Sequence, residues 1–218
     1  MSDYWRIPSN DPSTYEIDAT VACYLLPYDK RIPLICMSER PVQLLQSFSD
    51  DSGVSDPDRA SEKAADDKCA IFMFMEPLTG WRKAVAKQNR SIKTYARLLL
   101  ELSEEFKGCE NVRLVSSTLA NRGGQAFYRE FWNDLDTALR LSDFYQFSST
   151  PPDSTWLNMA ENELNRMCWE CLRDLKDPTL AELNERIAAW TEKRQKLKVI
   201  KWQYKVSSLT KRLHPERR

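Results

Sequence analysis

The spacing of apolar positions changes several times along the chain, and each change marks a new element. Ile17, Val21 and Leu25 recur at helical spacing behind a Ser13/Glu16 capping box, predicting a helix that ends before Pro27. Pro33 to Ser38 (PLICMS) is a short apolar run that reads as a buried strand. Ala70 to Met75 (AIFMFM) reads as a second strand. A turn over Glu76 to Gly80 then returns the chain as an antiparallel strand from Trp81 to Lys87. Ser91 caps a helix whose apolar face is Ile92, Tyr95, Leu99, Leu102 and Phe106, stopped at Gly108. Val112 to Val115 predicts a strand, Gln125 to Phe131 a helix, and Phe144 to Phe147 a last short strand. Trp156 to Leu175 reads as one helix, and Pro178 stands in the first turn of another that runs through Ala188 and Trp190.

Strands interleaved with helices in this order predict an α/β fold, a sheet covered by helices. The 218 residues carry no internal repeat and suit a single domain over 1–218. One stretch breaks the pattern. From about 46 to 68 the chain is rich in Ser and Asp, with Gly53 and Pro57, and reads as a long acidic loop.

Composition changes this picture little: 42% hydrophobic and 29% charged residues are ordinary for a globular protein. The apolar runs are far too short to span a bilayer, and no basic-then-apolar leader opens the chain, so a cytoplasmic location and no membrane are expected. Of six cysteines only Cys168 and Cys171 form a CxxC pair. With His214 the one histidine and no second pair, they read as two small apolar residues one helical turn apart rather than as zinc ligands.

Charge is more telling. The total is neutral, 32 basic against 32 acidic side chains, but its placement is uneven. Acids dominate the loop from Asp50 to Asp67. Bases dominate a tail over about 193–218: Lys193, Arg194, Lys196, Lys198, Lys201, Lys205, Lys211, Arg212, Arg217 and Arg218. Such a tail can meet phosphate, whereas the acidic loop repels it. Trp202 and Tyr204 lie inside the tail. On an extended segment they share a face and can stack on exposed bases; packing onto the domain is the competing reading.

Several segments, in order, resemble a known family. They are Leu34 to Leu45 (LICMSERPVQLL), Phe72 to Arg82 (FMFMEPLTGWR), Leu114 to Phe131 (LVSSTLANRGGQAFYREF), Trp156 to Leu164 (WLNMAENEL) and Trp190 through His214. Together they resemble the catalytic domain of DDE-type transposases of the mariner-related bacterial insertion-sequence group. The resemblance implies an RNase H-like fold, a central mixed sheet flanked by helices that brings carboxylates from two strands and a helix to one point. It begins near the start of the catalytic domain, so no helix-turn-helix module is expected within the chain.

The departures from the family pattern matter more. The first family Asp falls on Ser38, the second on Ser117, the Asn after it on Thr118 and the following His on Arg122. The third carboxylate is kept as Glu161. Residues 61–69 lack the family's strand pattern. Family members use two divalent metals about 3.5–4 Å apart to cut and join DNA. Replacing two carboxylates by hydroxyls removes two negative charges from a site that must hold two dications, so no metal is expected.

Other acids are poorly placed to compensate. Glu39 neighbours Ser38 on a strand and points to the other face; Glu163 lies roughly opposite Glu161 on its helix; Glu76 sits at a strand end. The reading is therefore an inactive, transposase-derived accessory protein. Its expected partners are nucleic acid, DNA or RNA without sequence preference, and a protein in a larger complex, with a homodimer left open. Arg122, Lys198, Lys201, Trp202, Lys205, Lys211 and Arg212 are the candidate nucleic-acid contacts. The alternative is a divergent, Mg²⁺-dependent transposase or nuclease with a rebuilt site.

Overall fold

The computed structural model describes residues 12–43, 68–116, 123–150, 156–175 and 178–195. The elements are α1 (Pro12–Leu25), β1 (Leu34–Gln43), β2 (Lys68–Met75), β3 (Arg82–Lys87), α2 (Ile92–Glu105), β4 (Val112–Ser116), α3 (Gln125–Glu130), α4 (Leu135–Phe144), β5 (Tyr145–Ser149), α5 (Met159–Met167) and α6 (Leu180–Gln195). A single π-helical turn, Cys168–Leu172, follows α5 directly.

The strands form one mixed sheet in the order β3-β2-β1-β4-β5. β3, β2 and β1 are antiparallel neighbours, and β4 and β5 continue the sheet in parallel. Strand alternation sends Ile35, Met37, Ala70, Phe72 and Phe74 to one face, where Tyr95, Leu99 and Leu102 of α2 pack with Phe127 and Leu141. Cys36, Ile71, Met73 and Met75 go to the other, under Ala160, Leu164, Leu183, Ile187 and Trp190. β2 is thus covered on both sides, which explains an apolar run with no polar alternation. Each fully buried Leu, Ile, Met or Phe among them contributes about 1.5–3 kcal/mol of transfer free energy.

Local signals act where the chain obeys them. Ser91 Oγ accepts from the Thr94 amide and starts α2. Gly80, at φ 80°, closes the β2–β3 turn, its amide donating to Glu76 O at 2.9 Å. Pro41 is tolerated within β1 because the β4 pairing stops at Met37, so on that side its missing amide has no ladder to break.

The structure also corrects several expectations. β1 runs on to Gln43 rather than ending at Ser38. The expected long helix begins at Met159, after a short 3₁₀ turn at Trp156 and Leu157, and ends in the π turn. Trp156 is 38% exposed, and Leu25, expected on the apolar face of α1, points to solvent. Pro178 precedes α6, whose first turn is capped by Thr179 and Glu182. α4, which no sequence signal announced, starts at Asp134, whose side chain accepts from the Thr137 amide.

The acidic loop up to residue 67, Ser117, Thr118, Arg122 and the tail with Lys198, Lys201, Trp202, Lys205, Lys211 and Arg212 lie outside the described residues. No helix among the described residues is long and apolar enough to cross a membrane.

Candidate functional site

Where β1 leaves its pairing with β4, α5 begins. Asn158 joins the two: its Nδ2 donates to Met37 O at 2.7 Å, while its Oδ1 accepts from the Ala160 amide at 3.1 Å and caps α5. Tyr24 adds a second tie, its hydroxyl donating to Leu157 O at 2.6 Å. The first turn of α5 is thereby held over the exit of β1, and Glu161, in that turn, faces the strand. A carboxylate there is favoured by the unpaired amides at the helix start.

Ser38 and Glu161, 123 residues apart in sequence, meet at this point: the Ser38 hydroxyl donates to Glu161 Oε2. Two residues further along the same face of β1, Arg40 donates through Nη2 to Glu161 Oε1 at 3.2 Å. The same Nη2 reaches Asn165 Oδ1, one helical turn beyond Glu161. Glu161 is therefore held between a hydroxyl and a guanidinium. Sequence reasoning missed Arg40 and Asn165. The signal was present, since Arg40 is two strand positions from Ser38 and Asn165 four helix positions from Glu161.

The other acids are engaged elsewhere. Glu39 turns to the opposite face of the sheet, its side chain 1% exposed and 3.7 Å from Arg90. Glu163 is buried on the far side of α5 from Glu161. Arg82 Nε donates to its Oε1 at 2.8 Å and Arg194 Nε at 2.9 Å, which joins α5 to β3 and α6. Glu76 lies at the end of β2, beyond the Cys36–Met75 pairing and three residues back along β1 from Ser38. One of its oxygens accepts from Thr79, and burial raises its carboxyl above the ordinary range. Cys168 and Cys171 pack against the core beneath the π turn, and burial raises the Cys171 thiol to about 11.

A pair of divalent cations needs several anionic oxygens. Among the described residues this cluster offers one carboxylate, already facing a guanidinium, and no three acids, cysteines or histidines gather anywhere into a metal-binding group. The donors among the described residues do not by themselves fit two dications.

Comparison with known proteins gives the class of the fold. The arrangement is a DDE-transposase-like, RNase H-like α/β fold. The chain is similar to a solved structure described as the Mos1 mariner paired end complex with Mn, with a TM-score of 0.50 at 10% identity. The match covers 88% of this chain and 59% of that one. No family model and no curated protein matches the chain.

Proposed function

We propose that this protein is a catalytically inactive, transposase-derived accessory protein that binds nucleic acid without sequence preference and works with a protein partner. The observation that carries the reading is the Arg40–Glu161 ion pair, 3.2 Å long, beside the Ser38 hydroxyl. A guanidinium cannot be deprotonated under these conditions, so it brings a fixed positive charge to the position a metal would need. The surviving carboxylate then serves the fold, linking α5 to β1, rather than a reaction. Similarity in fold to a mariner paired end complex supports nucleic acid as the partner, and so does the basic C-terminal run.

The test has two arms. Labelled DNA, single-stranded and duplex, is incubated with the protein and Mg²⁺ or Mn²⁺, and cleavage and strand joining are followed; binding of the same DNA is measured by anisotropy. Binding without metal-dependent cleavage is the expected result. Cleavage that disappears in Glu161→Gln overturns the inactive reading and favours the divergent nuclease. Purification of the tagged protein from its host then identifies what accompanies it.

A further inference from the structure

Away from Ser38 and Glu161, the π turn and the last turns of α6 enclose an open cleft of about 540 Å³. That lies within the range of roughly 300–1,000 Å³ usual for sites that hold a small molecule or one unit of a polymer. Its composition is unusual for a surface depression. Arg166, Arg173, Lys193 and Arg194 line it with two tryptophans, and Glu170 is the one acid among the lining residues.

Internal pairing consumes only part of this charge. Glu170 accepts from Arg166 Nε at 2.7 Å and from Trp190 Nε1 at 2.9 Å. Glu163, beneath the cleft, is one carboxylate shared between Arg82 and Arg194, so that cluster keeps a surplus positive charge. Arg173 meets Asp174 only at 3.5 Å, with both side chains exposed. The wall therefore stays net positive.

The tryptophans play different parts. Trp190 is 7% exposed and forms the floor, with Arg194 5.7 Å from its ring centroid. Trp169 stands out of the π turn at 67% exposure, with the Arg173 guanidinium 4.7 Å from its ring centroid. The Arg173 guanidinium covers one face of this indole, and the ring's exposure leaves the other face open to a base.

We infer that this cleft is a binding site for single-stranded nucleic acid, in which an unpaired base stacks on the face of Trp169 opposite Arg173 while Lys193 holds a flanking phosphate. A duplex hides its base faces, so the aromatic element selects unpaired strands; every base has such a face, so the contact carries little sequence preference. The inference deepens the proposed nucleic-acid function and rests on it, while moving the central contact from the C-terminal run onto the folded domain. DNA and RNA share the required chemistry, and the experiment distinguishes them.

Affinity is measured by anisotropy with labelled oligo(dT), oligo(U) and a duplex of equal length, at two salt concentrations. Trp169→Ala is expected to weaken single-strand binding at least about fivefold and to change duplex binding little, with Trp169→Phe retaining most of the affinity. Lys193→Glu is expected to weaken binding and flatten its salt dependence. Unchanged thermal midpoints show that the variants fold. Trp169→Ala and Lys193→Glu leaving single-strand affinity intact, while reversal of the C-terminal charges removes it, overturns the cleft assignment and keeps the broader function. Equal losses for duplex and single strand overturn the stacking role. A Trp169→Ala variant that loses a co-purifying protein but no oligonucleotide affinity assigns the surface to a protein partner. Wild-type protein that binds no nucleic acid at all removes the proposed function and this site together.

Discussion

Arg40 Nη2 lies 3.2 Å from Glu161 Oε1, so the carboxylate at the convergence of β1 and α5 is ion-paired to the strand beneath it. Both side chains are partly exposed, at 35% and 23%, and solvent screening keeps the pair's own stabilisation modest. Its consequence is chemical. The pair sets a fixed positive charge against the Glu161 carboxylate.

That relationship predicts the response to metal. Wild-type protein should show no saturable rise in thermal midpoint on titration with Mg²⁺ or Mn²⁺. The triple variant Ser38→Asp, Arg40→Gln, Ser117→Asp should gain a metal-dependent rise in midpoint, corresponding to about 2.7 kcal/mol of stabilisation when the ion is at a hundred times its Kd. Thermal melts with and without chelator measure it. A saturable rise in wild type that vanishes in Glu161→Gln counts against the proposed function.

Glu163 predicts a large structural effect. Its side chain is 7% exposed and that of Arg82 2%, so removing the carboxylate leaves buried guanidinium charge uncompensated. Glu163→Ala should cost about 3–5 kcal/mol in urea unfolding. Glu163→Leu combined with Arg82→Leu should cost less than the single change, because it removes the charges together. A single-variant cost below about 1 kcal/mol would show the cluster to be solvated.

Glu76 predicts a pH dependence. Burial raises its folded carboxyl above its ordinary 4.5, and its Oε1 has no hydrogen-bond partner among the described residues. The folded state therefore prefers the protonated acid. Its stabilising contribution is fully present below pH 4.5 and is lost as pH rises through the raised folded value. Glu76→Gln should abolish that loss, so that its stability relative to wild type improves as pH rises from about 4 to about 7. Denaturant unfolding across that range measures the difference, and parallel pH profiles for the two proteins contradict it.

The C-terminal charges predict a screened, sequence-independent affinity. Reversing Lys198, Lys201 and Lys205 to Glu should weaken binding to all oligonucleotides alike and lower the salt slope by roughly one for each phosphate no longer neutralised. Anisotropy across a salt series reads both quantities. An unchanged slope means that other residues hold the phosphates.

Much of the fold was legible because it rests on short-range rules. AIFMFM read as a strand, Ser91 as the cap of a helix, and Ser38 and Glu39 as neighbours pointing to opposite sides of the sheet; the two covered faces of β2 came with the packing. The meeting of Ser38 with Glu161 came from the resemblance, not from any local pattern, because a hydrogen bond across 123 residues leaves no periodicity. α4 escaped notice because its cap and apolar face, Asp134 with Ala138 and Leu141, are brief and flanked by exposed Leu135 and Leu139.

What the sequence determined by itself was therefore the alternation of its strands, the Ser91 cap of α2 and the uneven placement of its charge, since each depends on residues a few positions apart. Only the tertiary structure decided which charges meet. Arg40 had Glu161, Glu163 and Glu170 within one helical region to choose from, and the seating of α5 by Asn158 on Met37 gave it Glu161. The same seating turned Glu163 inward to Arg82 and Arg194, and the π turn set Trp169 beside Arg173 above α6. Ion pairs and clefts are made by packing between elements distant in the chain, and long flexible side chains take whichever partner that packing brings within reach.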